Sequence, residues 1–230
     1  MLFRSELTQQ NPLRALHMSK DSHMGLIMAR AGLGKTAILA QIALDAILRG
    51  KRVIHVSVGR SIDKIKARYD EILQLILEEH CVDRPHELID MVNRHRMIMT
   101  FQVATFSRSR LEERLNDLIL QDIFRPNVLI VDGLDFANTS RESLADLKDM
   151  VESMNLHAWF SAIRHRDDQR VSPRGVPAPC HEVDDLFGMV ILLNPQEDSS
   201  LELQLISSGG ACHGGASLRL DPTTMMVKEN

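Results

Sequence analysis

The stretch Ala29-Arg-Ala-Gly32-Leu-Gly34-Lys35-Thr36 constrains the fold of this chain more than any other segment. It follows a short apolar run, Gly25-Leu-Ile-Met28, and precedes Ile38, Leu39, Ile42, Ala43, Ala46 and Ile47, which recur at helical spacing. Gly50 stands where a helix C-cap is expected, and residues 53–58 read as the next strand. Strand, turn, helix and strand within about 35 residues make one βαβ unit, whose strands should be parallel.

The residue types in the turn suit a phosphate. Glycines let backbone N–H groups curl around phosphate oxygens, and a helix N-terminus adds partial positive charge. A lysine reaches the β- and γ-phosphates, and a Ser or Thr hydroxyl ligates Mg²⁺; Lys35 and Thr36 fill these places. The full pattern has Gly where this chain has Ala29, a position that accepts a methyl group if its φ is negative. The residues expected to hold ATP or ADP are Ala29, Arg30, Ala31, Gly32, Leu33, Gly34, Lys35, Thr36 and Ala37. The competing reading is a glycine-rich helix start with a chance Lys-Thr. Val128-Leu-Ile-Val-Asp132 is an apolar strand ending in a carboxylate, the Walker B pattern. In a parallel sheet that carboxylate emerges at the ligand-binding edge, so Thr36 and Asp132 are the expected Mg²⁺ ligands. Lys35 and Asp132 are the expected catalytic pair, with Asp135 as a further carboxylate that orients water or caps a helix.

The alternation of elements continues along the chain. Helices are expected over residues 62–79, 85–94, 109–121 and 143–154, and strands over 97–101, 128–131 and 158–163. Residues 164–179 form a charged, proline-bearing loop. Short strands around 189–193, 201–206, 217–220 and 225–228 then read as an antiparallel extension of the parallel sheet. Residues 1–22, polar and broken by Pro12, read as an N-terminal arm, and 23–230 as one nucleotide-binding domain.

Composition narrows the setting. A net charge of −4 argues against an extended basic nucleic-acid surface. Cys81, Cys180 and Cys212 are too few and too scattered for a disulfide framework. The N-terminus has no long apolar run, and no stretch approaches the ~20 apolar residues that span a bilayer. A cytoplasmic protein without membrane contact is the expectation, with another protein or a second copy of itself as partner.

On the glycine turn, Arg49-Gly-Lys-Arg-Val-Ile-His-Val-Ser-Val58, the Walker B strand, Asp185-Leu-Phe-Gly-Met-Val-Ile-Leu192 and the terminal strands, the chain resembles the RecA-like ATPases. The likeness is to the branch containing the clock ATPase KaiC and the replicative helicase DnaB, over residues 25–227. It implies a RecA-like P-loop NTPase: a central parallel sheet flanked by helices, with a C-terminal antiparallel β extension.

Two departures bear on mechanism. The resemblance implies an acidic residue after the second strand, to orient water, where this chain has Val58-Gly59-Arg60-Ser61. It also implies two cations on a late strand that reach a neighbouring subunit's nucleotide, where Ser207 and Gly209 stand. The first contribution is typically worth 10²–10⁴-fold in rate, and a missing trans arginine costs about 10³-fold or more. A nucleotide-dependent switch or regulatory protein with weak or no hydrolysis is therefore expected, and a Gly59→Glu change should restore turnover. The alternatives are an active RecA-like motor acting on nucleic acid or protein, and a non-enzymatic interaction scaffold.

Minor signals remain. The 164–174 loop carries several arginines, partly offset by Asp167 and Asp168, and no aromatic to stack on bases, so it reads as a solvated loop or protein interface. Topology leads Arg164 or His165 away from the sheet's carboxyl edge, toward a γ-phosphate. Cys180-His181 and Cys212-His213 are adjacent-residue pairs, an unusual spacing for zinc. Tyr69 and Trp159 read as packing residues.

Overall fold

A computed structural model describes residues 7–8, 13, 18, 22–80, 82–165, 167–196, 200–208, 211–212 and 217–228. Strand β1 (Met24–Ala29) leads through the glycine turn into helix α1 (Lys35–Leu48). Then come β2 (Val53–Val58), α2 (Ile62–Glu79), α3 (Pro85–His95), β3 (Arg96–Phe101) and α4 (Arg108–Leu120). Strand β4 (Val128–Asp132), α5 (Arg141–Ser153) and β5 (His157–Ile163) follow. The chain closes with β6 (Met189–Pro195), β7 (Leu201–Ser208), β8 (Ala211–Cys212), β9 (Ser217–Leu220) and β10 (Val227–Lys228).

All these strands join one sheet in the order β10-β9-β7-β6-β1-β5-β4-β2-β3, with β8 paired to β7. The six strands from β6 to β3 in that order are parallel. Their sequences are apolar throughout because both faces are covered. On β1, Leu26 and Met28 join one core with α4 and α5, while Ile27 and Ala29 join the other with α1, α2 and α3. Helix α1 buries most of its surface, which is why its sequence is apolar nearly all round. Ser107 and Ser140 cap α4 and α5 by accepting hydrogen bonds from the amides of Arg110 and Ser143.

The expected antiparallel extension needs one correction. Strand β6 runs parallel to β1, with Gly25 opposite Met189 and Ala29 opposite Leu193, so it belongs to the parallel sheet. The antiparallel part begins at β7 and continues through β8, β9 and β10. An apolar strand of five to seven residues is equally at home in either pairing, so its local sequence did not separate them. In the 1–22 arm, Leu7 and Leu13 are buried in the same core as α1. Among the described residues, no helix is long and apolar enough to cross a membrane.

Candidate functional site

The carboxyl ends of β1, β2, β4 and β5 converge on the start of α1. Ala29 is the last residue of β1, Arg30–Gly34 turn the chain, and Lys35, Thr36 and Ala37 open the helix. Gly32 and Gly34 take φ of 80° and 83°, left-handed values that glycine alone adopts without strain. Ala29 is not among the residues with positive φ, so its methyl group sits where the backbone permits it. No side chain caps α1; its first amide bonds run from Ala37 and Ile38 to the carbonyl of Gly34. Amides ahead of them are the donors that a helix N-terminus offers to an anion.

Lys35 is 6% exposed, and its ammonium donates to the carbonyls of Ala29 (3.2 Å) and Arg30 (2.9 Å). Burial lowers its pKa, with the Asp132 carboxylate acting in the opposite direction. The amide of Arg164 donates to the same Ala29 carbonyl (2.9 Å), which ties the end of β5 to the turn.

Asp132 is fully buried and accepts hydrogen bonds at both oxygens. Thr36 Oγ1 donates to its Oδ2 (2.6 Å), and Ser161 Oγ donates to its Oδ1 (2.5 Å). Arg60 Nη1 donates to Thr36 Oγ1 (2.5 Å) and to Asp132 Oδ2 (3.3 Å). The expected partners Lys35, Thr36 and Asp132 thus gather at one sheet edge, together with two residues that the sequence reading had not assigned there. Ser161 was signalled only as a hydroxyl inside the apolar run His157-Ala-Trp-Phe-Ser-Ala-Ile163. The β4–β5 register, with Val131 opposite Phe160, brings it level with Asp132. The sequence marks Arg60 only as standing where the RecA-like resemblance implies a carboxylate.

A hydroxyl and a carboxylate are the donor chemistry that Mg²⁺ takes. Here the guanidinium of Arg60 lies against both. A cavity of about 530 Å³ opens on the turn, lined by Gly32, Gly34, Lys35, Thr36, Arg60 and Lys64 among others. Its cationic walls suit a polyanion.

The remaining candidates fall outside this cluster. Asp135 is exposed and accepts from Ala137 N (3.1 Å) and Asn138 Nδ2 (2.7 Å), so its carboxylate builds its own turn; Ser140, not Asp135, caps α5. His165 lines a separate cavity with Phe136, Arg141 and His181. Gly59 has φ of 75°, and a Cβ there would meet Val103 Cγ2 at 2.8 Å, so a Gly59→Glu change meets both a strained backbone and a clash. Ser207 is buried without a hydrogen-bond partner for its hydroxyl, while Gly209 lies outside the described residues. Cys180 is buried, which raises its thiol pKa; Cys81 and His213 lie outside the described residues. Tyr69 and Trp159 are buried in the α1-side core, as expected of packing residues.

The fold and the site define an α/β protein whose parallel sheet presents a glycine turn, a buried lysine and a buried hydroxyl–carboxylate pair at one edge. The chain belongs to the family described as Nephrocystin 3, N-terminal, which matches residues 4–162, from the arm through β5. Among curated proteins, none matches the chain.

Proposed function

We propose that this protein binds ATP or ADP at the turn after β1 and serves as a nucleotide-dependent switch or regulatory protein with weak or no hydrolysis. One observation carries the reading. The left-handed glycines, uncapped helix start and Lys35 adjoin a Thr36 hydroxyl bonded to Asp132, on a strand two places away in the sheet. A chance glycine-rich helix start has no reason to acquire that long-range partner. The parallel sheet with a C-terminal antiparallel part is the architecture the RecA-like resemblance implies, and it supports a P-loop NTPase of that type.

Within this reading, Gly32 and Gly34 let the backbone wrap the phosphates, and Lys35 leaves the Ala29 and Arg30 carbonyls to meet them. Thr36 and Asp132 would hold Mg²⁺ only with Arg60 displaced. Weak hydrolysis follows from what surrounds the site. Both oxygens of Asp132 are engaged, Asp135 is committed to its turn, and position 59 is a glycine with positive φ that carries no carboxylate. Binding should depend on the phosphates more than on the base. Thermal melting with ATP, ADP and adenosine tests this: the two nucleotides should raise the midpoint and adenosine should not. Equal shifts with all three, or none, would count against it.

A further inference from the structure

Arg60 holds the place in which the hydroxyl–carboxylate pair would otherwise meet a metal ion. The Thr36 hydroxyl gives its proton to Asp132 and accepts an N–H from Arg60, so a lone pair that a divalent ion would need is in use. The same Nη1 also donates to Asp132 Oδ2, and the pair forms an ion pair at 3.3 Å. Lys35 acts on Asp132 through space but spends its hydrogen bonds on the Ala29 and Arg30 carbonyls, so the direct contact to the carboxylate comes from Arg60.

The backbone beneath Arg60 is fixed. Gly59 turns the chain at the end of β2, and its amide donates to the Phe101 carbonyl (2.8 Å) at the end of β3. The Arg60 side chain is 42% exposed and lines two cavities. One is the cavity at the glycine turn; the other, of about 610 Å³, also carries Arg110 and Arg114. A guanidinium has five N–H donors in a planar fork, so those not spent on Thr36 and Asp132 remain for an oxyanion.

We propose that Arg60 is the resident cation of this site: it neutralises Asp132, contacts the phosphate end of the nucleotide, and makes binding independent of Mg²⁺, which competes with it for Thr36 and Asp132. This rests on the nucleotide reading above. It assigns the metal-independence of binding to a residue whose only sequence signal was the absence of a carboxylate.

Calorimetric titration of the full chain with ADP, in EDTA and in millimolar Mg²⁺, tests the proposal on wild type, Arg60→Ala and Arg60→Lys. Wild-type affinity should differ by less than about threefold between the two buffers, because Arg60 supplies the charge-assisted bonds. Arg60→Ala should bind about tenfold more weakly in EDTA and recover when Mg²⁺ is added, since the vacated pair then accepts the ion. Arg60→Lys should keep part of the metal-free affinity. A wild-type affinity that falls about tenfold or more in EDTA overturns the assignment, even if Arg60→Ala proves unfolded by circular dichroism. So does an Arg60→Ala protein whose metal dependence matches wild type. ADP binding with unaltered metal dependence removes the role of Arg60 alone, whereas no ADP binding by any form in either buffer removes the nucleotide reading together with it.

Discussion

A methyl group at position 34 would collide with the Met225 side chain, and the backbone there already has φ of 83°. Met225 is held over the turn by Gln41, whose side chain donates to the Met225 carbonyl (2.6 Å) and accepts from the Val227 amide (3.3 Å). Gly34→Ala should therefore lower unfolding stability by at least about 1–2 kcal/mol in urea titration, with the backbone term alone setting that scale; an unchanged midpoint would contradict it. His55 gives a second residue-scale prediction. Burial pushes its pKa down to about 4, and its Nδ1 is hydrogen-bonded to the buried Tyr69 hydroxyl (3.0 Å). The unfolded chain takes up a proton near pH 6.5 that the folded chain refuses until about pH 4. Stability from this group is full above about pH 6.5 and is lost as pH falls toward 4, a contribution of order 3 kcal/mol. Urea unfolding across that range should show the slope, and His55→Gln should flatten it.

At the scale of elements, the parallel strands were legible because burial on both faces leaves an unbroken apolar run, as in Val128-Leu-Ile-Val131. Helix α2 was legible to both ends, since an amphipathic stripe with buried Ile65, Tyr69, Ile72 and Leu73 repeats every turn. What local sequence did not carry was partnership across the sheet: β6 beside β1, Ser161 level with Asp132, and Arg60 against Thr36. Such contacts are set by strand order and register, which no window of neighbouring residues contains. The 164–174 loop shows both sides of this. Its charge balance was readable, and Asp168 does pair with Arg170 at 2.6 Å, an arginine beside it holding the carboxyl down at about 2. The loop also packs, with Ser172 Oγ donating to the Asp184 carboxylate (2.7 Å), which its composition did not reveal. Because Asp167 and Asp168 partly offset its arginines and the chain carries a net charge of −4, single-stranded DNA binding should be weak. Submicromolar affinity with a steep salt dependence would contradict this.

For the whole molecule, the account joins a family assignment over residues 4–162 to a site assembled from β1, α1, β2, β4 and β5, all within the matched segment. The β9–β10 connection outside it contributes Met225 over the glycine turn, so both parts of the chain meet at the site. Purified protein should turn over ATP well below the roughly 1–10³ s⁻¹ typical of enzymes. Several turnovers per second, abolished by Asp135→Asn, would return Asp135 to the role its present turn denies it. The central claim is that the turn after β1 holds nucleotide phosphates, and calorimetric titration of ATP into wild type and Lys35→Ala tests it most directly. The account predicts saturable binding to wild type, weakened at least about tenfold by the loss of the ammonium. No heat of binding to wild type at millimolar nucleotide, or equal affinity in the two proteins, would contradict it.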